Sequence, residues 1–165
     1  MHIFFDEMTR HGRHARPLGH FACLKWSVTL NVLDLFLGAA LAGLSWTCSI
    51  VHYPLLADLH RGYASQEHFQ RHVKRIFPLV GPLMAAELMV VAWVCWSAPS
   101  VVAFASLALV ISIWAITAIF AAPVHQRLVE DQASSRDVIV LLRSHHGRTA
   151  AWTIRCALLI MGGAL

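Results

Sequence analysis

The sequence predicts an all-α integral membrane protein, a four-helix bundle running up-down-up-down with short amphipathic helices in its two long loops. Three observations predict it. Hydrophobic residues make up 58% of the 165-residue chain and charged residues only 13%, against about 25% charged in a soluble domain. The apolar residues gather in four runs, each near the ~20 residues that cross the hydrocarbon core of a bilayer. Outside the N-terminal leader, nearly all polar chemistry falls in two of the three connections between runs.

Residues 1–26 read as a basic leader carrying Arg10, Arg13, Arg16 and Lys25 beside His2, His11, His14 and His20. Gly12, Pro17 and Gly19 argue against a long helix there. No long apolar core precedes a small-residue cleavage site, so the leader does not read as a cleavable signal peptide. The remaining 27–165 form one domain with membrane spans at about 27–56, 76–96, 101–122 and 149–165. Run one contains Gly38-Ala39-Ala40-Leu41-Ala42-Gly43, which sets small residues four apart at 38/42 and 39/43. That spacing lets helix backbones approach closely in a membrane. Run two carries Pro78 and Pro82, which should bend it or loosen its first turns. Run three ends at Pro123, and run four is barely long enough to span.

The connections differ in kind. Ser97-Ala98-Pro99-Ser100 is a tight, uncharged helical hairpin. In the first long loop, Ser65 reads as the N-cap of a helix that starts at Gln66 and continues into run two. In the second, Ser134-Ser135-Arg136-Asp137 resembles a capping sequence that opens an amphipathic helix over 137–145. Arg61, Arg71, Lys74, Arg75, Arg127, Arg136, Arg143 and Arg148 lie in or beside these loops. By the positive-inside rule they favour a cytoplasmic location for the loops, while the leader's own charge argues the reverse. The expected setting is a bacterial inner membrane. The net charge of +4 is accounted for by anionic lipid headgroups, so membrane lipids rather than nucleic acid are the expected partner, with a membrane protein partner or a homo-oligomer also open. The cysteines Cys23, Cys48, Cys95 and Cys156 form no C-x-x-C pair, which excludes zinc-finger spacing and makes a disulfide framework improbable.

The histidines carry the functional signal. His52 closes run one, His68 and His72 open run two, His125 closes run three, and His145 and His146 open run four. In a chain that reverses at each span, all six reach one face. Imidazole is the commonest protein ligand for transition metals and titrates near physiological pH. His68 and His72 are an i,i+4 pair on one helical face, and Ser45, Cys48, Ser49 and His52 form a polar stripe. Each has a bland alternative, solvated interfacial histidines for the first and small-residue packing for the second. Arg75 and Arg148 repel a bare divalent cation and suit an anionic partner instead, such as a haem propionate or a quinone oxygen. Arg155 lies about 10 Å inside run four, counted from Arg148. An intramembrane arginine needs a partner, and Glu87 is the acid expected at its depth, with Asp34 towards the opposite end of run one. Their pairing reads equally as a polar floor to the site or as a structural ion pair.

Val51-His52-Tyr53-Pro54-Leu55, the Phe69-x-x-His72 turn leading to Pro82 and Glu87, Pro123-x-His125, and Arg148-Thr149-x-x-Trp152 together resemble small bacterial four-helix membrane proteins allied to the anthrone-oxygenase-like family. The resemblance covers nearly the whole chain after the leader. It implies oxygen-dependent or redox chemistry on an aromatic or quinone-like substrate, with His52, His72, Glu87, His125 and Arg148 as the positions to watch. The doublet His145-His146 lies outside that pattern. The resulting expectation is a small membrane oxidoreductase with an iron, copper or haem centre. Its metal ligands would be His52, His72, His125 and His145, its cofactor-binding residues Arg75 and Arg148, and its catalytic inner wall Glu87 and Arg155. The alternatives are a non-enzymatic accessory subunit of a larger membrane complex and a small proton-coupled carrier in which Glu87 titrates.

Overall fold

In a computed structural model of the chain, residues 18–53, 66–130, 132 and 134–162 are described, with side chains from Thr29 onward except those of 66–70, 72, 73 and 135. Every regular element among the described residues is helical. Helix α1 covers Leu18–Thr47 and runs into a π turn, Cys48–His52. Helix α2 covers Gln66–Ser97. Helix α3, Val101–Ile116, continues through a second π turn, Thr117–Ala121, into α4, Ala122–Val129. Helix α5 covers Ser135–Met161.

Three stretches are long and apolar enough to cross a membrane: Thr29–His52, Lys74–Ser97 and Val101–Val129. Around them the surface is apolar in a way that water would penalise. Phe36, Trp93, Trp96, Met89 and Phe104 all point outward and are more than half exposed. Exposed large hydrophobics packed this densely mark a surface made for lipid or for another apolar partner.

Local rules explain most element ends. Ser100 caps α3 by accepting from Ala103 N at 3.1 Å, and α2 starts at Gln66 as its sequence suggests, while Ser65 lies outside the described residues. Pro78 and Pro82 both sit inside α2, which runs on from Gln66 through run two as expected. Three boundaries depart from expectation. Helix α1 starts at Leu18, inside the stretch read as leader, with Gly19 in its first turn. Pro123 does not end the third rod, because it occupies the first turn of α4, directly after the π turn Thr117–Ala121. A proline has no N–H to donate and its ring crowds the carbonyl four residues back, and a π turn there takes up the lost bond. The amphipathic segment 137–145 is not a separate helix but the first part of α5, which runs unbroken through Gly147.

The helices pack in a ring: α1 against α2 and α5, and α3 against the same two. The interior alternates between apolar and polar levels. An apolar level joins Leu41, Ala42, Met84, Ile113, Ala151 and Trp152, one contribution or more from each of the four long helices. A second joins Tyr53, Ala121, Val124 and Leu141. The polar levels beside them carry the candidate site.

The start of α5 is fixed by a reciprocal capping box. Ser134 Oγ accepts from Asp137 N, and Asp137 Oδ2 accepts from Ser134 N at 2.9 Å. Its other oxygen, Oδ1, accepts from Arg127 Nε at 3.0 Å and pairs with Arg127 Nη2 at 2.5 Å, which ties the end of α4 to the start of α5. Hydrogen bonds from Ser134 and then Arg127 hold this carboxyl down to about 2, from an ordinary 3.8. A carboxyl depressed on folding contributes stability above its unfolded value and loses it as pH falls through its folded value. Asp137 therefore contributes fully above about pH 4 and loses its contribution between about pH 4 and pH 2. In acid melts followed by circular dichroism in detergent, Asp137→Asn is expected to lower stability at neutral pH. It is also expected to flatten the fall in stability over that window; an unchanged acid profile would contradict the assignment.

Candidate functional site

The deepest polar level is centred on Arg155, whose side chain is fully buried. Its Nη1 donates to Glu87 Oε1 at 2.9 Å, its Nη2 to Asp34 Oδ1, and its Nε to Ser106 Oγ at 2.8 Å. Trp152 Nε1 donates to the other Glu87 oxygen, Oε2, at 3.1 Å. All four long helices thus contribute a side chain to one guanidinium: Asp34 from α1, Glu87 from α2, Ser106 from α3 and Arg155 from α5.

Glu87 meets Arg155 directly, as its depth suggests. Asp34, towards the opposite end of run one, also joins this arginine, a contact not expected from its depth. In the antiparallel register set by Ser45–Thr149 and Ser49–His145, Arg155 lies level with residues just beyond Gly38. Its long side chain then reaches the remaining turn to Asp34. Ser106, a polar residue within run three, was not singled out from sequence.

Gly38 is part of this geometry. A Cβ built there would overlap Arg155 Nη1 and touch the Cys156 sulfur at 3.6 Å. The glycine makes room for the guanidinium, not for a close backbone. Of the two small-residue stripes in run one, 38/42 is buried and faces the interior. The 39/43 stripe is exposed, and a Cβ on Gly43 would meet nothing.

The second polar level joins α1, its π turn, the second π turn and α5. His145 is buried, and its Nε2 lies 2.8 Å from Ser49 Oγ and 3.1 Å from the Ser45 carbonyl oxygen. A carbonyl can only accept, so that contact is satisfied with the proton on Nε2. Ser45 Oγ and Thr149 Oγ1 meet at 2.6 Å beside it, and the His145 ring lies against Tyr53 at 4.2 Å between centroids. The Ser45/Ser49 stripe therefore does face protein.

Next to it, Arg148 Nη1 donates to Thr117 Oγ1 at 3.3 Å, and its guanidinium lies within hydrogen-bonding reach of Tyr53. Among the described residues no carboxylate pairs with Arg148, and its Nε is buried without an acceptor. Trp114 Nε1 is likewise buried without an acceptor, one turn from Thr117 on the same helix face. Tyr53 and Thr117 were not singled out from sequence. Each adjoins a helix irregularity, Tyr53 just after the first π turn and Thr117 opening the second, and irregular helical turns of this kind recur at functional sites.

Of the expected metal set His52, His72, His125 and His145, the side chain of His72 lies outside the described residues. His145 commits Nε2 to α1, which leaves Nδ1 as its one nitrogen for a ligand. His125 and His146 lie within electrostatic range of His145, and His52 closes the first π turn. The side chain of His68 also lies outside the described residues. Among the described residues no group of three or more His, Cys, Asp or Glu side chains is disposed to hold a metal ion. Arg75 is exposed on α2.

No protein-family model, curated protein or solved structure matches the chain.

The two glycines give a direct contrast. In a helix interior, Gly→Ala stabilises by about 0.5–1 kcal/mol. Gly43→Ala is expected to follow that rule. Gly38→Ala must displace Arg155 Nη1 from Glu87, and is expected to lose on the order of 2 kcal/mol despite the same helix gain. Thermal melts of the two variants in one detergent test this, and equal shifts would show that the guanidinium is not held where the geometry has it.

Proposed function

We propose that the chain is a small integral membrane protein of four spans, running up-down-up-down. It would bind a quinone-like or aromatic ligand through an anionic or carbonyl oxygen at Arg148 and act in membrane redox chemistry. The order of residues through the interior supports the topology. From the Arg155 level towards the Arg148 level, residue numbers rise on α1 and α3 and fall on α2 and α5. The fourth span would be the 149–161 part of α5, whose two polar levels are satisfied from within the bundle.

The observation that carries the ligand reading is Arg148. A guanidinium without a carboxylate, held by the hydroxyls of Tyr53 and Thr117, is a cation positioned for an incoming acceptor. Trp114 Nε1 offers a second donor whose acceptor is also missing among the described residues. Tyr53 supplies an aromatic ring beside Arg148. Buried donors left without an acceptor each cost about 1–3 kcal/mol, and a ligand oxygen that filled the position would recover part of that. A quinone carbonyl has the right character, since it accepts in the oxidised state and becomes an oxyanion or hydroxyl on reduction. An iron, copper or haem centre is not part of this proposal, because among the described residues no three His, Cys, Asp or Glu side chains are disposed to hold a metal ion.

Titration of the full chain in lipid nanodiscs with a short-chain benzoquinone, followed by tryptophan fluorescence, tests the reading. Loss of a charge-assisted hydrogen bond of about 1.5–3 kcal/mol corresponds to roughly ten- to hundredfold weaker binding. That loss is expected for Arg148→Gln with helical content unchanged. An absence of saturable binding by the wild type, or equal affinity in the variant, would refute it.

A further inference from the structure

We propose that the Asp34–Arg155–Glu87 cluster binds one proton, carried on Oδ2 of Asp34, so that the core of the bundle is a proton-holding site. Charge balance comes first. Two carboxyl groups and one guanidinium are at most 2% exposed. With both carboxyls ionised, a net negative charge would be buried with no second cation beside it among the described residues. Such a charge is expensive in a membrane interior, and one proton removes it.

Among the described residues, each of the four long helices places groups at the cluster. Helix α1 contributes Asp34 and Gly38, and α2 contributes Glu87 and, further along, the Cys95 thiol. Helix α3 contributes the Ser106 hydroxyl, and α5 contributes Arg155, Trp152 and the Cys156 thiol. Arg155 is the sole cation among them.

Hydrogen bonding then assigns the proton. Both oxygens of Glu87 accept from fixed N–H donors, Oε1 from Arg155 and Oε2 from Trp152. A proton on Glu87 would have to displace one of these donors. Asp34 accepts from Arg155 through Oδ1, and its Oδ2 takes no hydrogen bond from the Arg155 and Trp152 donors that fill Glu87. Oδ2 is therefore the one carboxyl oxygen that can take a proton without breaking a bond. The proton carrier is thus Asp34, not the Glu87 of the carrier alternative. This site is independent of any ligand at Arg148.

Infrared spectroscopy of the full chain in lipid vesicles at neutral pH reads the protonated carboxyl band directly. The wild type is expected to show it, and Asp34→Asn to lose it while melting within a few degrees of the wild type, because a neutral amide replaces a neutral acid. Glu87→Gln is expected to lose the band as well, since Asp34 must then ionise to balance Arg155. Arg148→Gln is expected to keep it. A wild-type spectrum without the band, or a band that persists in Asp34→Asn or in Glu87→Gln, would overturn the assignment. If Asp34→Asn fails to fold, Glu87→Gln alone decides.

Discussion

A guanidinium that water cannot reach must find its hydrogen bonds and counter-charges in the protein, and Arg155 finds them on three other helices. That constraint organises the bundle. The five N–H donors of arginine form a rigid fork, so their acceptors must arrive from fixed directions, and Asp34, Glu87 and Ser106 do so from α1, α2 and α3. A slip of one helix along its axis would strip a partner from a buried charge, at a cost of about 3–5 kcal/mol. Apolar packing in a membrane is far less discriminating, because lipid tails are as apolar as leucine. The arginine therefore specifies which level meets which.

The polar level at the other end works by a different principle. His145, Ser45, Ser49 and Thr149 share a network of neutral donors and acceptors between two helices, which fixes the α1–α5 register without any net charge. Between the two polar levels lies an apolar one built around Leu41, Met84, Ile113 and Trp152. Trp152 belongs to both environments, since its ring packs in that level while its N–H reaches Glu87. Arg148 stands outside these satisfied networks, with its Nε, like Trp114 Nε1, buried without an acceptor. Its difference from Arg155, seven residues away on the same helix, is what sets the functional reading apart from the structural one.

Much of this was legible in the sequence, and the rest was hidden for identifiable reasons. Long apolar runs and capping residues such as Ser100 and Ser134 place the helices, because periodicity and caps are local signals. The Arg155–Glu87 pair could be inferred from depth, because a buried arginine demands an acid. Asp34 escaped the same argument because depth was counted between backbones, while the arginine side chain spans an extra turn. Gly38 was legible as a small residue but not as the space for a guanidinium, since its partner comes from 117 positions away. Pro123 read as a stop because nothing local announces that a π turn will take up its missing hydrogen bond. The histidines reached one region only in part, since proximity to one face does not bring ring nitrogens to a common point.

The two π turns also bear on how this bundle can change. Each accommodates one residue more than an α-helix would need, and one residue turns a helical face by about 100°. Residues beyond Cys48–His52 and Thr117–Ala121 are therefore rotated out of phase with those before them. On the two helices that carry these turns, Asp34 and Ser106 of the charged level lie before the turn, whereas Tyr53 follows the first turn and Val124 and His125 follow the second. Gain or loss of a single residue at either turn would swing the loop-side residues around the helix axis and leave the Arg155 level untouched. The fold thus contains two compartments that can drift apart in sequence, one around Arg148 on the loop side and one around Arg155 that keeps the helices in step.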